Sequence, residues 1–182
     1  MYILIIPATT LPVSVEELKQ DIGIFHTEKD SVLSIYLQSA VDYAERFTGR
    51  QLMPAVWELQ IDTFYEYLKI SKAPFIDLVS IKYYDANNVL QTLASGTDFD
   101  VCSSDPALIH FKTDFTLYHR PDALQIRFNA GYTSAEVVPA MIKAAIILMA
   151  GKMYDNPIDS VENLPKASTN LLRQYRLWQQ NQ

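Results

Sequence analysis

Few side chains in this sequence have types and spacings that could do chemistry. Asp98 and Asp100 lie two residues apart in an extended stretch, so both carboxylates could face one metal ion or one substrate. His110 lies in the middle of a predicted strand, where a histidine is more often a structural or surface residue than a ligand. One enzymatic hypothesis therefore stays open: a small-ligand or carbohydrate-binding enzyme that uses these three residues beside an aromatic β face.

The aromatic face of that hypothesis consists of tyrosines on or beside predicted strands: Tyr65, Tyr67, Tyr83 and Tyr84. Such tyrosines could stack on sugars or bases, but they more often fill sheet faces and subunit interfaces. The other histidines, His26 and His119, are scattered, and Cys102 has no base near it in the sequence. No glycine-rich nucleotide-binding pattern, HExxH or GxSxG occurs. The sequence therefore predicts no catalytic group, metal or cofactor.

The overall composition also excludes several classes of protein. Of 182 residues, 49% are hydrophobic, which is enough for a packed core, and the net charge of −6 disfavours a protein with a basic nucleic-acid-binding face. A single cysteine cannot form an internal disulfide and suggests a reducing compartment. The apolar run from Tyr2 to Ile6 lacks a basic segment and is too short for a signal peptide, so we expect a short strand or a packing arm there.

The stretch around which the chain is organised is a predicted helix from Pro139 to Tyr154. Its only charged residues, Lys143 and Lys152, are nine residues apart and fall on opposite sides of a helix. A helix that is apolar all round is buried, either in a core or in a subunit interface. The run is shorter than the roughly 20 residues of a membrane span, so we expect no membrane insertion.

Three further helices are expected around it. Ser14 and Glu17 have the spacing of a capping box, Thr27 offers a second cap, and Gly49 suits a helix C-terminus. Leu33, Leu37, Ala40 and Ala44 fall on one helix face and should pack against Ile142, Ala145, Ile146 and Met149. The predicted helices span about 14–21, 28–48, 139–154 and 166–179.

From Val56 the apolar period changes from 3.6 to 2, and short alternating runs continue to Phe128. This pattern predicts antiparallel strands at about 56–128. The predicted fold class is therefore α+β: a helical bundle of about four helices with an antiparallel β-sheet insertion between the second and third helices.

The last predicted helix is the candidate interaction site. Its apolar stripe and the arginines beside it are of the types that interface cores favour. The candidate interface residues are Leu171, Leu172, Arg173, Tyr175, Arg176 and Trp178. The alternative is that this stripe folds back on its own domain.

Taken in order, these elements resemble the head–tail connector (adaptor) proteins of tailed bacteriophages and prophages, in the subgroup that carries a β insertion. The matching segments are VSVEELK at 13–19, AERFTGR at 44–50, Trp57, AGY at 130–132, VPA at 138–140, IKAAI at 142–146 and YDN at 154–156. They follow the family's "VSLEEAK", "AxxYTGR" and "AGY…VPxxLKxAIlllxxxxYenR". Pro157 replaces a basic residue that is common there, and the chain from Ile158 matches no family motif.

The resemblance implies a structural virion assembly protein that is made in the bacterial host cytoplasm, and not an enzyme. Its subunits would form a homo-oligomeric ring below the portal that extends the DNA channel and joins head to tail. The implied partners are other copies of the chain, the portal protein and tail completion proteins. DNA would pass without specific binding, which suits the acidic charge. A generic intracellular interaction module is a third hypothesis.

The resemblance also implies a division of the chain. We expect a single connector domain over 1–182, with a β insertion at 55–129. The C-terminal loop and helix, 158–182, would then serve as a docking arm.

Overall fold

The computed structural model describes residues 1–156 and 166–177, without the Lys166 side chain. The described residues form four α-helices, one 3-10 turn and eight strands, and all strand pairing between named strands is antiparallel. The predicted α+β class is therefore confirmed. The chain divides into two compact units: a sheet unit of residues 1–9 and 54–132, and a helical unit of residues 10–53 and 133–182.

The helical unit contains all four α-helices. They are α1 (Val15–Ile22), α2 (Asp30–Thr48), α3 (Ala140–Asp155) and α4 (Lys166–Arg173), and a 3-10 turn (Ala135–Val137) precedes α3. The first three lie within two residues of their predicted bounds. Among the described residues, no helix is both long and apolar enough to span a bilayer.

Helix α1 begins with the predicted capping box. The Ser14 hydroxyl accepts the Glu17 N–H at 3.1 Å, and the Glu17 carboxylate accepts the Ser14 N–H at 2.6 Å. The backbone bond from Ser14 is the main reason why the pKa of Glu17 is lowered from its usual value. Gly23 and Gly49 end α1 and α2 with φ of 71° and 73°, the left-handed conformation that glycine adopts without strain.

The predicted cap of α2 at Thr27 is wrong. The helix begins at Asp30, with Lys29 at the N-cap position and no side-chain cap bond. The Asp30 carboxylate instead accepts a hydrogen bond from the Lys19 ammonium at 2.8 Å. A contact between two helices therefore fixes this end, and such a contact leaves no local sequence signal.

The core of the helical unit is the predicted contact between α2 and α3. Each side chain assigned to it is fully buried: Leu33, Leu37, Ala40, Ala44, Ile142, Ala145, Ile146 and Met149. Small alanine side chains permit a short distance between the two helix axes. The predicted core is confirmed.

Among the described residues, one face of α3 stays largely uncovered. Met141, Ala144 and Leu148 are exposed, and their spacing of three and four residues places them in one stripe. We call this stripe the α3 face. The described part of the chain therefore covers only part of a helix that is apolar all round.

Helix α4 is shorter than predicted. It ends at Arg173, and residues 174 and 175 form a turn, so the prediction that it continues to 179 is wrong; residues 178 and 179 lie outside the described residues. The Leu177 N–H donates to the Thr48 carbonyl oxygen at 2.7 Å. This bond to the end of α2 replaces the bond that a continuing helix would form.

The sheet unit contains eight strands in two sheets. They are β1 (Tyr2–Ile6), β2 (Ala55–Ile61), β3 (Tyr67–Ile70), β4 (Phe75–Tyr84), β5 (Leu90–Thr92), β6 (Phe99–Cys102), β7 (Ala107–Phe111) and β8 (Leu124–Ala130). The five-stranded sheet has the order β1-β2-β8-β4-β5, and the three-stranded sheet has the order β3-β7-β6.

Seven of these strands lie between α2 and α3 in the sequence, as predicted, but β1 comes from the residues before α1. The central strand β8 alternates fully buried residues with more exposed ones. Its buried side chains are Leu124, Ile126, Phe128 and Ala130. The alternating apolar residues of β2, Trp57, Leu59 and Ile61, belong to the same core.

A change to aspartate should destabilise the protein strongly on the buried face of α3 and only slightly on its exposed face. Ile146→Asp should lower the free energy of unfolding by several kcal/mol, because Ile146 is fully buried and the new carboxylate would have no partner. Leu148→Asp is the matched control. Leu148 is 44% exposed, so this change should cost less than about 1 kcal/mol. Urea unfolding of both monomeric variants checks this, and equal losses would contradict the assigned faces.

Candidate functional site

The predicted acidic pair lies at the start of β6, and each carboxylate already has a structural partner. Asp98 accepts the Ala94 N–H at 2.7 Å, which closes the turn before β6. Asp100 forms an ion pair with Lys112 at 2.9 Å. The structure thus uses one carboxylate to hold a turn and the other in a surface ion pair.

His110 lies opposite Asp100 in the register of β6 and β7, so the structure brings these two candidates together. The imidazole, however, stacks on Tyr67 with the ring centres 4.6 Å apart, and its Nε2 lies 3.7 Å from Glu66. This group lies on an open sheet face rather than in a cleft, since Tyr67 and Asp100 are more than half exposed. Within residues 1–156 and 166–177, no group of three or more His, Cys, Asp or Glu is placed to hold a metal ion.

The predicted aromatic β face is divided between the two sheets. Tyr67 is on β3 of the three-stranded sheet, whereas Tyr83 and Tyr84 are on β4 of the other sheet. Tyr83 packs on Phe115 at 4.5 Å, and the Tyr84 ring lies under the Arg120 guanidinium at 3.7 Å. These tyrosines therefore do not form one stacking platform.

The candidate interface on and after α4 has an inner and an outer side. Leu172 is fully buried, because α4 packs on α3 and α2. Leu171 and Tyr175 are half-buried, whereas Arg173 and Arg176 are exposed. Trp178 lies outside the described residues. The inner side thus belongs to the core of the helical unit, and the outer side carries the arginines.

Besides the bond from Leu177 to Thr48, two further contacts hold the chain after α4 in place. The Arg50 side chain donates to the Tyr175 carbonyl oxygen at 2.7 Å, and the Arg176 guanidinium lies 5.6 Å from the centre of the Phe47 ring. Arg176 is therefore exposed but anchored. Arg173 projects from the helix itself and is the more direct candidate for contact with another molecule.

The helical unit also exposes several apolar side chains, which form a larger surface than the arginines of α4. The sequence predicted only part of this surface. Besides the α3 face, Phe25 is 89% exposed and Ile35 is 64% exposed, with Val32 close to Ile35 on the same flank of α2. Exposed apolar patches of this kind mark interaction sites. The available signal was that Val32 and Ile35 interrupt the polar side of α2.

Comparisons with known proteins agree with the resemblance. The family model described as "phage gp6-like head-tail connector protein" matches residues 12–95. No curated protein matches the sequence significantly. The resemblance to head–tail connector proteins is confirmed by the family match.

Solved structures of gene transfer agent (GTA) particles share the fold. A chain from the neck of an empty GTA particle, computed with C6 symmetry, aligns with a TM-score of 0.81 and 18% identity, covering 97% of this chain and 95% of that chain. A chain from the neck of a native GTA particle, computed with C12 symmetry, aligns with a TM-score of 0.76 and 21% identity, covering 97% of this chain and 94% of that chain. A chain from the virion of a native GTA particle aligns with a TM-score of 0.75 and 20% identity, covering 97% of this chain and 95% of that chain.

The roles assigned to the two aspartates predict unequal effects on stability. Asp98→Ala should cost about 2 kcal/mol, because a charged acceptor of a backbone N–H is lost. Asp100→Ala should cost less than about 0.5 kcal/mol, because its ion pair with Lys112 is at the surface. Thermal melts of both variants check this. If the wild type bound calcium or magnesium and each substitution abolished that binding, the metal-site hypothesis would be revived.

Proposed function

We propose that this chain, whose residues 12–95 match the head–tail connector family, is a structural, non-enzymatic subunit of a virion that joins head to tail. In this proposal the subunits form a homo-oligomeric ring below the portal and extend the channel for DNA. The observation that carries the proposal is the family match. The C6 and C12 symmetries of the neck particles whose chains share this fold support a ring.

The exposed apolar surface supports self-association. Met141 and Leu148, on the α3 face, are each more than 40% exposed, and Ile35 on α2 is more exposed still. Burial of apolar surface in an interface is favourable by roughly 25 cal/mol per Å². We therefore assign the α3 face to the contact between neighbouring subunits.

The charge of the chain supports passage of DNA rather than binding. Each subunit carries −6, so a ring of many copies is strongly acidic. Like charge between a channel wall and phosphate lets the duplex slide. Weak, sequence-independent contact with DNA is what a conduit requires.

We further propose that the sheet unit is an insertion into a helical connector domain, joined by one strand from the N-terminal residues. The outer side of α4 then provides the surface that docks on the portal or on a tail completion protein. Arg173 is exposed there, and arginine is enriched at interface centres.

The ring hypothesis predicts that one substitution separates folding from assembly. Leu148→Asp should lower the melting temperature of the monomer by no more than about 4 °C but weaken assembly at least about tenfold, because each contact would bury a new carboxylate. Ser34→Asp, on the exposed polar side of α2, adds the same charge and should still assemble. Analytical ultracentrifugation and negative-stain images measure both. Rings of unchanged size and stability from Leu148→Asp would remove the α3 face from the interface.

The docking hypothesis for α4 predicts that one substitution weakens portal binding without affecting ring formation. Arg173→Glu should fold and form rings like the wild type but bind rings of the cognate portal protein at least about tenfold more weakly, because a charge at the contact is reversed. Arg46→Glu, an exposed reversal on α2 outside the α3 face, is the matched control. Co-sedimentation with portal rings measures binding, and equal binding by both variants would contradict the docking role of α4.

A further inference from the structure

The five-stranded sheet has open edges at both ends. At one end, β1 pairs with β2 on one side only. At the other end, β5 covers β4 only at residues 82–84, so residues 75–80 of β4 have β8 on one side and no strand on the other among the described residues. An open strand edge presents unpaired N–H and C=O groups to any strand that arrives.

The free edge of β1 has apolar side chains, and some of its backbone N–H groups point away from β2. Leu4, Ile5 and Ile6 are 44%, 38% and 54% exposed. Met1 and Gln60 exchange both backbone hydrogen bonds, so the alternation of an antiparallel pair turns the N–H groups of Tyr2 and Leu4 away from β2. These N–H groups can donate to a further strand.

The open edge of β4 borders a groove of about 450 Å³. Its other wall includes β6, and its lining combines apolar and polar residues. The apolar ones include Phe75, Leu78, Val79, Leu93, Phe99 and Val101, and the polar ones are Asp77, Ser80, Thr92, Ser95 and Ser103. Val79 is 52% exposed. The groove carries little charge, since Asp77 is the only charged side chain among the described residues that line it. It suits the side chains of an uncharged apolar strand.

From these two edges we infer that β1 of one copy adds to residues 75–80 of β4 in the next copy and fills this groove. The inference rests on the proposed ring. A ring needs a head-to-tail contact between two different surfaces of the same chain, and the opposite edges of one sheet are two such surfaces. Addition of a strand to an open edge is an established mode of peptide recognition.

Length and direction both fit this pairing. Strand β1 has five residues and the open part of β4 has six, while the two irregularities in the β4–β8 register limit how far a flat strand could extend. In this antiparallel sheet, β1, β8 and β5 run one way, and β2 and β4 run the other way. A neighbour related by a small rotation keeps its strand directions, so its β1 arrives antiparallel to β4.

The area of the contact indicates what it contributes. Five residues span roughly 17 Å, and such a strand cannot bury the roughly 800 Å² per partner of a standard interface. The remaining area must come from other surfaces, such as the α3 face. Strand addition therefore supplies direction and register to an interface whose stability is shared with other contacts.

Disulfide trapping tests the pairing. In a Cys102→Ser background, Leu4→Cys is combined in turn with cysteine at Asp77, Leu78 and Val79. Within one chain β1 and β4 are three strand spacings apart, roughly 14 Å, whereas a disulfide needs Cα atoms about 4.4–6.8 Å apart. Any bond between these positions therefore joins two copies.

At concentrations where the wild type forms rings, we expect a ladder of linked multimers from at least one pair on non-reducing gels, and none from the single-cysteine chains. Rings without any ladder would overturn the strand pairing and leave the proposed function intact. Dimers from Leu4→Cys alone would show β1 pairing with itself and would overturn it too. If the wild type forms no ring, even on cognate portal rings, the proposed function itself fails.

A second variant removes the hydrogen bond without removing the strand. Leu4→Pro deletes an outward N–H, and proline is tolerated at an edge strand whose N–H faces solvent. We expect an unchanged fold by circular dichroism and at least about tenfold weaker assembly. Leu4→Val keeps the N–H and should assemble like the wild type. Equal assembly by both variants would contradict the role of this N–H.

Discussion

Helix α3 carries more apolar surface than the described residues of one chain cover, and this constraint determines most of the helical unit. Its buried face requires α2 to present leucines and alanines, and it leaves Leu172 of α4 fully buried as well. The α3 face has no charged residue from Met141 to Leu148, so water contacts apolar groups there. An exposed apolar face of this kind is typical of an interaction surface.

In the sheet unit, β8 has the corresponding role. It pairs along its whole length with β2 and β4, and its inward side chains are fully buried. Polar groups on the other side of these strands are paired: the Arg127 guanidinium lies 2.7 Å from the Glu58 carboxylate, whose side chain is only 8% exposed. Because the centre is fully paired, open backbone groups remain only where a strand is at an edge or a neighbour is short.

The sequence predicted the elements whose signals are local. The capping box, the C-cap at Gly49 and the change of period near Val56 all act over a few residues, and those predictions are confirmed. The start of α2 and the end of α4 depend on bonds between distant residues, Lys19 with Asp30 and Thr48 with Leu177. Such bonds leave no pattern in either segment, so both predictions failed. The same limit hid the pairing of β1 with β2 and the division into two sheets.

Prediction of the site was limited by a different physical fact. A helix that is apolar all round shows that contact is needed but not on which side, and aspartates two residues apart show a possible pair but not their existing partners. The apolar face alone also leaves the geometry of an assembly underspecified, because burial of apolar area has no preferred direction. Hydrogen bonds at a strand edge do have direction, and a closed ring requires each copy to meet the next at one fixed angle. If the ring forms as proposed, the α3 face accounts for its stability, and the edges of β1 and β4 account for its geometry.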